Sequence, residues 1–302
     1  MTRPTVSVLI TAYNRESLVG ASIESVLAQS FGDFEVLVVD DQSSDGTLEI
    51  ARQFERLDPR VRVVANERNL GDYGNRNRAA SLATAPFLKY HDSDDLLYPH
   101  CLEVMVRLLG AHPAAGFGLS NSHSWPGGPV PMLLTPRQSY QREFLGFGLF
   151  MCGPAGALFR TDAFRALGGF EDYGAPSDTI FWMRACARYP VVLFPGDLFY
   201  YREHPGQALV APDAARRYAT VTAHAWRALS APECPLDDAE REQAKTNVAF
   251  RTATSIWHAV RGGNLTLAWW RAKCSGISPA EWLRYLRRPQ RSALAGVPVA
   301  HP

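Results

Sequence analysis

The sequence predicts an α/β fold, a mostly parallel, doubly wound sheet flanked by helices and followed by a helical C-terminal region. Three observations carry this. Short runs rich in β-branched residues recur at Val6–Tyr13, Phe34–Val39 and Val61–Val64, apolar nearly throughout, as strands covered on both faces are. The stretches between them place apolar residues at helical spacing, which makes the connections helical crossovers and the strands parallel. From about Asp213 the chain turns Ala- and Arg-rich and reads as helices without strands.

Taken in order, VSVLITAY is the first strand, and the helix after it carries Val19, Ile23, Val26 and Leu27 on one face, with Asn14 or Ser17 as its expected cap. FEVLVV, the second strand, ends at Asp40-Asp41. QSSDGT is a turn with Asp45 as the expected cap of a helix bearing Leu48, Ala51, Phe54 and Leu57, and Val61–Val64 is the third strand. Asn69–Ala83 starts as a glycine-containing turn and becomes a helix with Arg76 and Arg78 near its start. Cations there oppose the helix dipole, which favours a ligand-facing role over an ordinary solvated arginine.

Phe87–Pro99, FLKYHDSDDLLYP, is the chemical centre: an apolar run ending in Asp92, Asp94 and Asp95. Residues two apart on an extended segment share a side, so Asp92 and Asp94 can present their carboxylates together. Mg²⁺ or Mn²⁺ typically takes one or two such oxygens plus the phosphates of a substrate. The plainer reading is that Asp95 caps the following helix, whose buried stripe would be Leu102, Met105, Val106 and Leu109. An EF-hand is excluded, since Leu96 and Leu97 fall where a ligand and a glycine are needed.

Beyond this centre, Gly116–Ser120 and Gly156–Phe159 read as strands, Trp125–Pro131 as a loop, and FLGFGLFMCGP (144–154) as an apolar, pocket-lining stretch. Thr161–Leu167 reads as a short helix stopped by Gly168-Gly169, and a longer helix opens at Asp178. Val191–Phe194 and Phe199–Tyr201 read as strands. Helices are expected at Ala214–Leu229, Asp238–Val260 and Ala280–Arg288, with a disordered tail after Pro289. The domain boundary falls near residue 210, separating a catalytic portion (1–210) from a helical region (211–302).

Composition narrows the function classes. A chain of 302 residues with 46% hydrophobic and 20% charged residues suits one large domain with an appendage, or two. A net charge of +1 gives no overall electrostatic case for nucleic acid. Five scattered cysteines without a CxxC favour reduced thiols in a cytosolic protein. No apolar run reaches the roughly 18 residues of a membrane span, so the expected location is cytoplasmic. Trp257, Trp269, Trp270 and Trp282 beside several arginines suit peripheral contact with a membrane–water interface, or else the packing of an ordinary helical appendage.

In doubly wound sheets, ligands bind outside the carboxyl ends of the strands. Thr11–Asn14, Asp40-Asp41 and the acids at 92–95 all fall there. A dehydrogenase is excluded because TAYNRES lacks the glycines of a dinucleotide fingerprint. A calcium loop from Asp41 is excluded because its twelfth position is Arg52.

Five stretches, in order over about the first 205 residues, resemble glycosyltransferase family 2: VSVLITAYNRESLVGASIESVLAQSFGDFEVLVVDDQSSDGT, NLGDYGNRNRAA, KYHDSDDLLYP, LGGFEDYGAPSDTIFWMR and YREHPG. The resemblance implies the GT-A fold and inverting sugar transfer from a nucleoside diphosphate sugar to an acceptor hydroxyl, in surface polysaccharide or lipid-linked glycan assembly. By position it implies that Thr11, Tyr13 and Asp41 hold base and ribose, that Arg76 approaches the base or diphosphate, and that Asp92 and Asp94 form the DxD, with Asp94 the direct ligand of Mn²⁺ or Mg²⁺. It implies that Asp178 is the catalytic base and that His204 meets the diphosphate or metal.

Three departures stand out. Gln42-Ser43 replaces the common Gly-Ser, Ser177 stands where Glu usually precedes the catalytic Asp, and Tyr90-His91 before the DxD is expected to reshape the sugar pocket. An acid ending the second strand suits uracil, so the expected donor order is UDP, then dTDP, then GDP. The competing classes are a nucleotidyltransferase, which would need a glycine-rich phosphate loop that TAYNRES is not, and a non-catalytic nucleotide-sugar-binding protein.

Overall fold

The computed structural model describes residues 3–120, 130–204 and 214–286. The chain divides into two compact units: Met1–Leu133 with Cys152–Asp172 and Pro190–Glu203, and Leu134–Met151 with Tyr173–Tyr189 and His204–Pro302.

The first unit is built as the alternation of strand and helix predicts. Its leading elements are β1 (Val6–Ala12), α1 (Val19–Leu27), β2 (Phe34–Asp40), α2 (Thr47–Leu57), β3 (Val61–Ala65), α3 (Asp72–Leu82) and β4 (Phe87–Asp92). Next come β5 (Leu96–Leu97), α4 (Cys101–Gly110), β6 (Phe117–Leu119), β7 (Met132–Leu134), β8 (Ala157–Arg160), α6 (Thr161–Ala166), β9 (Val191–Leu193) and β10 (Phe199–Tyr200). The sheet has eight strands in the order β3-β2-β1-β4-β8-β6-β9-β7. It is parallel from β3 to β4, while β8 runs antiparallel to both β4 and β6.

Alternate residues of the parallel strands serve two cores. Val8, Ile10, Val36 and Val38 face the stripe Val19, Ile23 and Val26 of α1, together with Leu102, Met105 and Leu109 of α4. Behind β4, Tyr90 forms an aromatic cluster with Phe159, Phe164 and Phe170, its ring centroid 5.6–6.0 Å from theirs. Its hydroxyl donates to the Arg76 carbonyl at 3.0 Å. Both Tyr90 and His91 are fully buried, so any effect they have on a sugar pocket is indirect. Burial pushes His91 down to about 3, with Lys89 adding to the effect, and the ring is neutral.

Several local expectations are corrected. Neither Asn14 nor Ser17 caps α1, whose N-cap is Leu18 without a side-chain bond. Asn14 instead adopts a left-handed φ of 52°. Asp45 does bond the Thr47 amide and hydroxyl at the start of α2, although the cap position is Gly46. Asp95 does not cap α4, which begins six residues later behind His100. Phe199–Tyr200 leaves the main sheet and pairs antiparallel with β5, a strand too short to recognise in the sequence.

The second unit comprises α5 (Pro136–Tyr140), a π-turn at Gln141–Leu145, α7 (Ser177–Arg188), α8 (Ala214–Tyr218), α9 (Val221–Ser230), α10 (Asp238–Arg261), α11 (Leu265–Cys274) and α12 (Pro279–Leu286). The helix expected over 214–229 is thus two helices, and α11 is one that the residue pattern did not announce. Capping boxes start α5 at Thr135 and α10 at Asp237. Tyr140, Phe144 and Phe150 pack together at 5.2–6.2 Å in its interior. From the apolar 144–154 stretch, Phe147 and Met151 stay exposed. All five cysteines are free thiols. No helix among the described residues is long and apolar enough to cross a membrane. Most of the predicted Trp125–Pro131 loop and the tail after Pro289 lie outside the described residues.

Candidate active site at the strand ends

Strand register brings the polar groups of the first unit to one level. Thr11 of β1 pairs with Asp92 of β4, and Ala12 pairs with Asp40 of β2. Tyr13 follows at the end of β1 and is 49% exposed.

The β1–α1 and β2–α2 loops are clasped together. The Asn14 amide donates to Ser43 Oγ and the Ser44 amide to Asn14 Oδ1, both at 2.9 Å. The Arg15 amide donates to Thr47 Oγ1 at 2.6 Å, and the Glu16 carboxylate accepts from the Gly46 amide at 2.8 Å. These bonds fix the loop at residues 13–16 against the loop that follows β2. Side chains of one loop satisfy the amides of the other.

Asp41 is 2% exposed and organises the turn before α3. Its Oδ1 accepts from Asn66 Nδ2 and the Leu70 amide, both at 2.8 Å, and its Oδ2 from the Gly71 amide at 2.9 Å. Gly71, at φ 76°, takes a left-handed conformation that other residues rarely adopt. A carboxylate has about four acceptor directions, so one on Oδ2 remains for a further donor.

Arg76, 8% exposed, is the most constrained charge in the site. Nε donates to Asp72 and Nη2 to Asp92, each at 2.8 Å. Nη1 is buried and has no hydrogen-bond partner among the described residues. The guanidinium also lies 5.8 Å from the rings of both Tyr73 and Tyr90. Burial opposes its charge, but Asp72 and Asp92 prevail and hold its pKa well above the ordinary value. In turn, burial would push Asp92 up, and Arg76 outweighs it and holds that carboxyl below its usual range.

The three acids of the DSDD stretch are held differently. Asp92 pairs with Arg76. Asp94 pairs through Oδ2 with Arg15 Nε at 3.0 Å. Asp95, 1% exposed, accepts from the Arg202 amide at 3.0 Å, while its Oδ2 is buried without a partner among the described residues. Burial first, then the nearby charge of Asp92, pushes Asp95 up to about 8. Beneath them, fully buried Lys89 donates from Nζ to the carbonyls of Tyr90 and Ala155, and burial lowers its pKa.

Crowded carboxylates with an orphaned buried oxygen fit a hard divalent cation. Among the described residues no group of three or more His, Cys, Asp or Glu is gathered to hold an ion alone. The protein's share would therefore be one or two carboxylates, the rest coming from phosphates and water, which is common for Mg²⁺.

In the second unit, Asp178 lies in the first turn of α7, and its Oδ1 accepts from the Thr179 amide at 2.5 Å. Ser177 is buried. Its Oγ accepts from the Tyr173 amide at 2.8 Å and donates to the Gly174 carbonyl at 2.7 Å, closing the turn before the helix. Serine in place of glutamate thus has a structural use here. His204 is half-buried, at the end of a described segment.

Sequence reading missed Arg15 and Lys89. Arg15 stands 79 residues from its partner Asp94, so no local pattern announces the pair. Lys89 was legible only as a lone charge inside an apolar run.

The fold is thus an α/β sheet, mostly parallel, with acids, an exposed tyrosine and a buried arginine at its strand ends. The model of glycosyl transferase family 2 matches residues 7–168, more than half of the chain, and the chain belongs to that family. It is 38% identical over 110 residues to the putative glycosyltransferase EpsE of Bacillus subtilis, covering 36% of this chain and 40% of that protein. It is also 38% identical over 104 residues to the UDP-Glc:alpha-D-GlcNAc-diphosphoundecaprenol beta-1,3-glucosyltransferase WfgD of Escherichia coli, covering 34% and 40%. The matches thus span about two-fifths of these relatives. Among solved structures, Staphylococcus aureus TarS 1-349 in complex with UDP-GlcNAc superposes with a TM-score of 0.61 at 22% identity, over 80% of this chain and 70% of TarS. A second, the mannosyltransferase PcManGT of Pyrobaculum calidifontis with GDP-Man and Mn²⁺, gives a TM-score of 0.56 at 20% identity, over 95% of this chain and 84% of that one. At these identities the likeness shows the GT-A-like fold alone.

Proposed function

We propose that this protein transfers a sugar from a nucleoside diphosphate sugar, UDP first among the donors, to an acceptor hydroxyl with inversion at the anomeric carbon. The observation that carries this reading is the buried Arg76 guanidinium beside Asp92, with Nη1 unpartnered among the described residues. A buried donor without an acceptor is costly, and an incoming base oxygen or diphosphate would satisfy it. The UDP-GlcNAc and UDP-Glc named for TarS and WfgD support the donor class.

On this reading Thr11, Tyr13 and Asp41 hold base and ribose. The Tyr13 face supplies a stacking surface, and the remaining acceptor direction of Asp41 takes the imide N–H of uracil. Asp94, with Asp92, would hold Mn²⁺ or Mg²⁺, the metal named for PcManGT being Mn²⁺, and His204 would meet the diphosphate or metal. When bound, the ion neutralises charge on the diphosphate. Arg76 and Arg15 would orient the phosphates, Arg15 from its place beside Asp94.

Asp178 takes the proton of the acceptor hydroxyl as its oxygen attacks the anomeric carbon from the face opposite the diphosphate. The new glycosidic C–O bond forms as the bond to the diphosphate breaks, and nucleoside diphosphate departs. Residues 1–210 would suffice for donor binding, with the helices after 210 serving the acceptor. Trp257, Val260, Leu265 and Trp269 are exposed beside Arg261 and Lys273, which suits a helical face resting on a membrane where a lipid-linked acceptor would be met. The relative from E. coli is named for such an acceptor.

A thermal-shift screen of UDP-, dTDP- and GDP-sugars with Mn²⁺ tests the donor assignment, because ligands of the native state raise apparent stability. A UDP-sugar should stabilise most, and largest stabilisation by GDP-sugars would overturn the preference.

A further inference from the structure

The second unit contains a cavity of about 260 Å³, distant in chemistry from the acidic strand ends. Arg251 of α10 and Arg271 of α11 line it with Tyr218, Thr222, Thr252 and Ser255, and the remaining two of its eight lining residues are alanines. Among the described residues it therefore carries two arginines, several hydroxyls and no carboxylate.

Each arginine is fixed in place without being neutralised. Arg251 Nη2 donates to the Phe144 carbonyl at 3.0 Å and the Glu143 carbonyl at 3.4 Å. Arg271 Nη1 donates to the Ser255 carbonyl at 2.7 Å. The Glu143 carboxylate is engaged elsewhere, with the amides of Leu149 and Phe150 at 2.6 and 2.9 Å. Other arginines of this unit face acids: Arg137 meets Asp237 and Glu240, and Arg284 meets Glu242. Among the described residues Arg251 and Arg271 have no such pairing, so each keeps its full charge and most of its five N–H donors.

Two arginines lining one cavity are like charges, and an anion between them relieves their repulsion. Guanidinium forks match phosphate oxygens geometrically and bind them with charge-assisted hydrogen bonds. The volume lies below the roughly 300–1,000 Å³ of drug-sized ligand pockets, which suits a compact oxyanion and not a whole nucleotide sugar. Thr222 and Thr252, with hydroxyls 3.4 Å apart, add short polar contacts on the same wall.

We propose that the Arg251–Arg271 cavity binds a phosphate or diphosphate group, separately from the donor at the strand ends. The group arrives either as a small free anion or as the headgroup of a lipid.

The test uses the full chain in EDTA, which removes the metal through which the strand-end site would hold a diphosphate. Titration calorimetry with inorganic diphosphate should show binding to the wild type that weakens at least about tenfold in Arg251→Gln/Arg271→Gln, given the strength of charge-assisted pairs. Circular dichroism checks the fold, and Arg251→Gln alone serves if the double variant unfolds. A second arm floats the protein with phosphatidylcholine vesicles with and without phosphatidic acid. Arginine-dependent flotation with phosphatidic acid supports the lipid source, and arginine-dependent diphosphate binding alone supports the free anion. Equal binding by wild type and variant, or binding of neither probe, overturns the proposal. Neither readout depends on sugar transfer.

Discussion

Arg76→Met separates the structural from the ligand-binding use of this arginine. The substitution keeps most of the side-chain volume and removes the guanidinium from between Asp72 and Asp92. The Asp72 pair contributes little, because that side chain is 52% exposed and exposed pairs are worth about 0–1 kcal/mol. The Asp92 pair matters more, its side chain being only 24% exposed. Breaking a buried pair by removing one partner costs about 3–5 kcal/mol, and the residual exposure of Asp92 places the expected loss near the lower end. A loss of about 3 kcal/mol, set against an unfolding entropy of about 2.1 cal/mol/K per residue, lowers Tm by roughly 5 °C for a chain of this length. Arg76→Lys retains the charge and loses the fork, so it should keep much of the stability and still bind nucleotide diphosphate weakly, since a point charge does not replace bidentate contact. Differential scanning calorimetry with UDP titration reads both effects. A methionine variant as stable as wild type would refute the argument that Arg76 holds Asp92. A lysine variant with undiminished UDP affinity would refute the role given to the fork.

Four further outcomes are expected. Asp94→Ala should remain folded and lose metal-dependent donor binding, measured by calorimetry with and without chelator. Asp178→Asn should keep donor affinity while kcat falls at least about a hundredfold, the range for losing a general base. Gly156→Ala should destabilise by more than the roughly 1–3 kcal/mol of ordinary overpacking, seen in urea melts, because a Cβ there would stand 2.2 Å from the Ser120 carbonyl oxygen, which is backbone and cannot swing away. Arg137→Met should reduce stability above the ordinary Glu value of 4.5 and lose its effect as pH falls. Glu240 is held below that value because its bonds to Arg137 and Gln141 outweigh its burial, so this contribution exists only while Glu240 is ionised; melts at neutral and acid pH check it.

What was legible in the sequence was whatever period and strand-end chemistry encode. The apolar runs of β1, β2 and β3 and the stripes of α1 and α4 are local patterns, and the sheet follows from them. The acids at 92–95 stand out in the sequence as three carboxylates directly after an apolar run. What stayed hidden depends on contacts distant in sequence. Asn14 read as a helix cap, yet it clasps a loop 29 residues away. Asp95 read as a cap, yet its partner is the amide of Arg202. Arg15 carries no local signal, and only the fold sets it against Asp94. The split of 214–229 into two helices and the two-residue strand β5 leave too little periodicity to detect. The turn held by Ser177 depends on a side chain bonding its own loop, which composition alone does not reveal.

The most direct test of the central claim is the stereochemistry of the product. Incubating the protein with an α-linked UDP-sugar, Mn²⁺ and its acceptor, and following the anomeric proton by NMR, reads the configuration of the new bond. The account predicts a β-linked product formed together with UDP in equal amount. An α-linked product, or release of free sugar 1-phosphate in place of a glycoside, would contradict it.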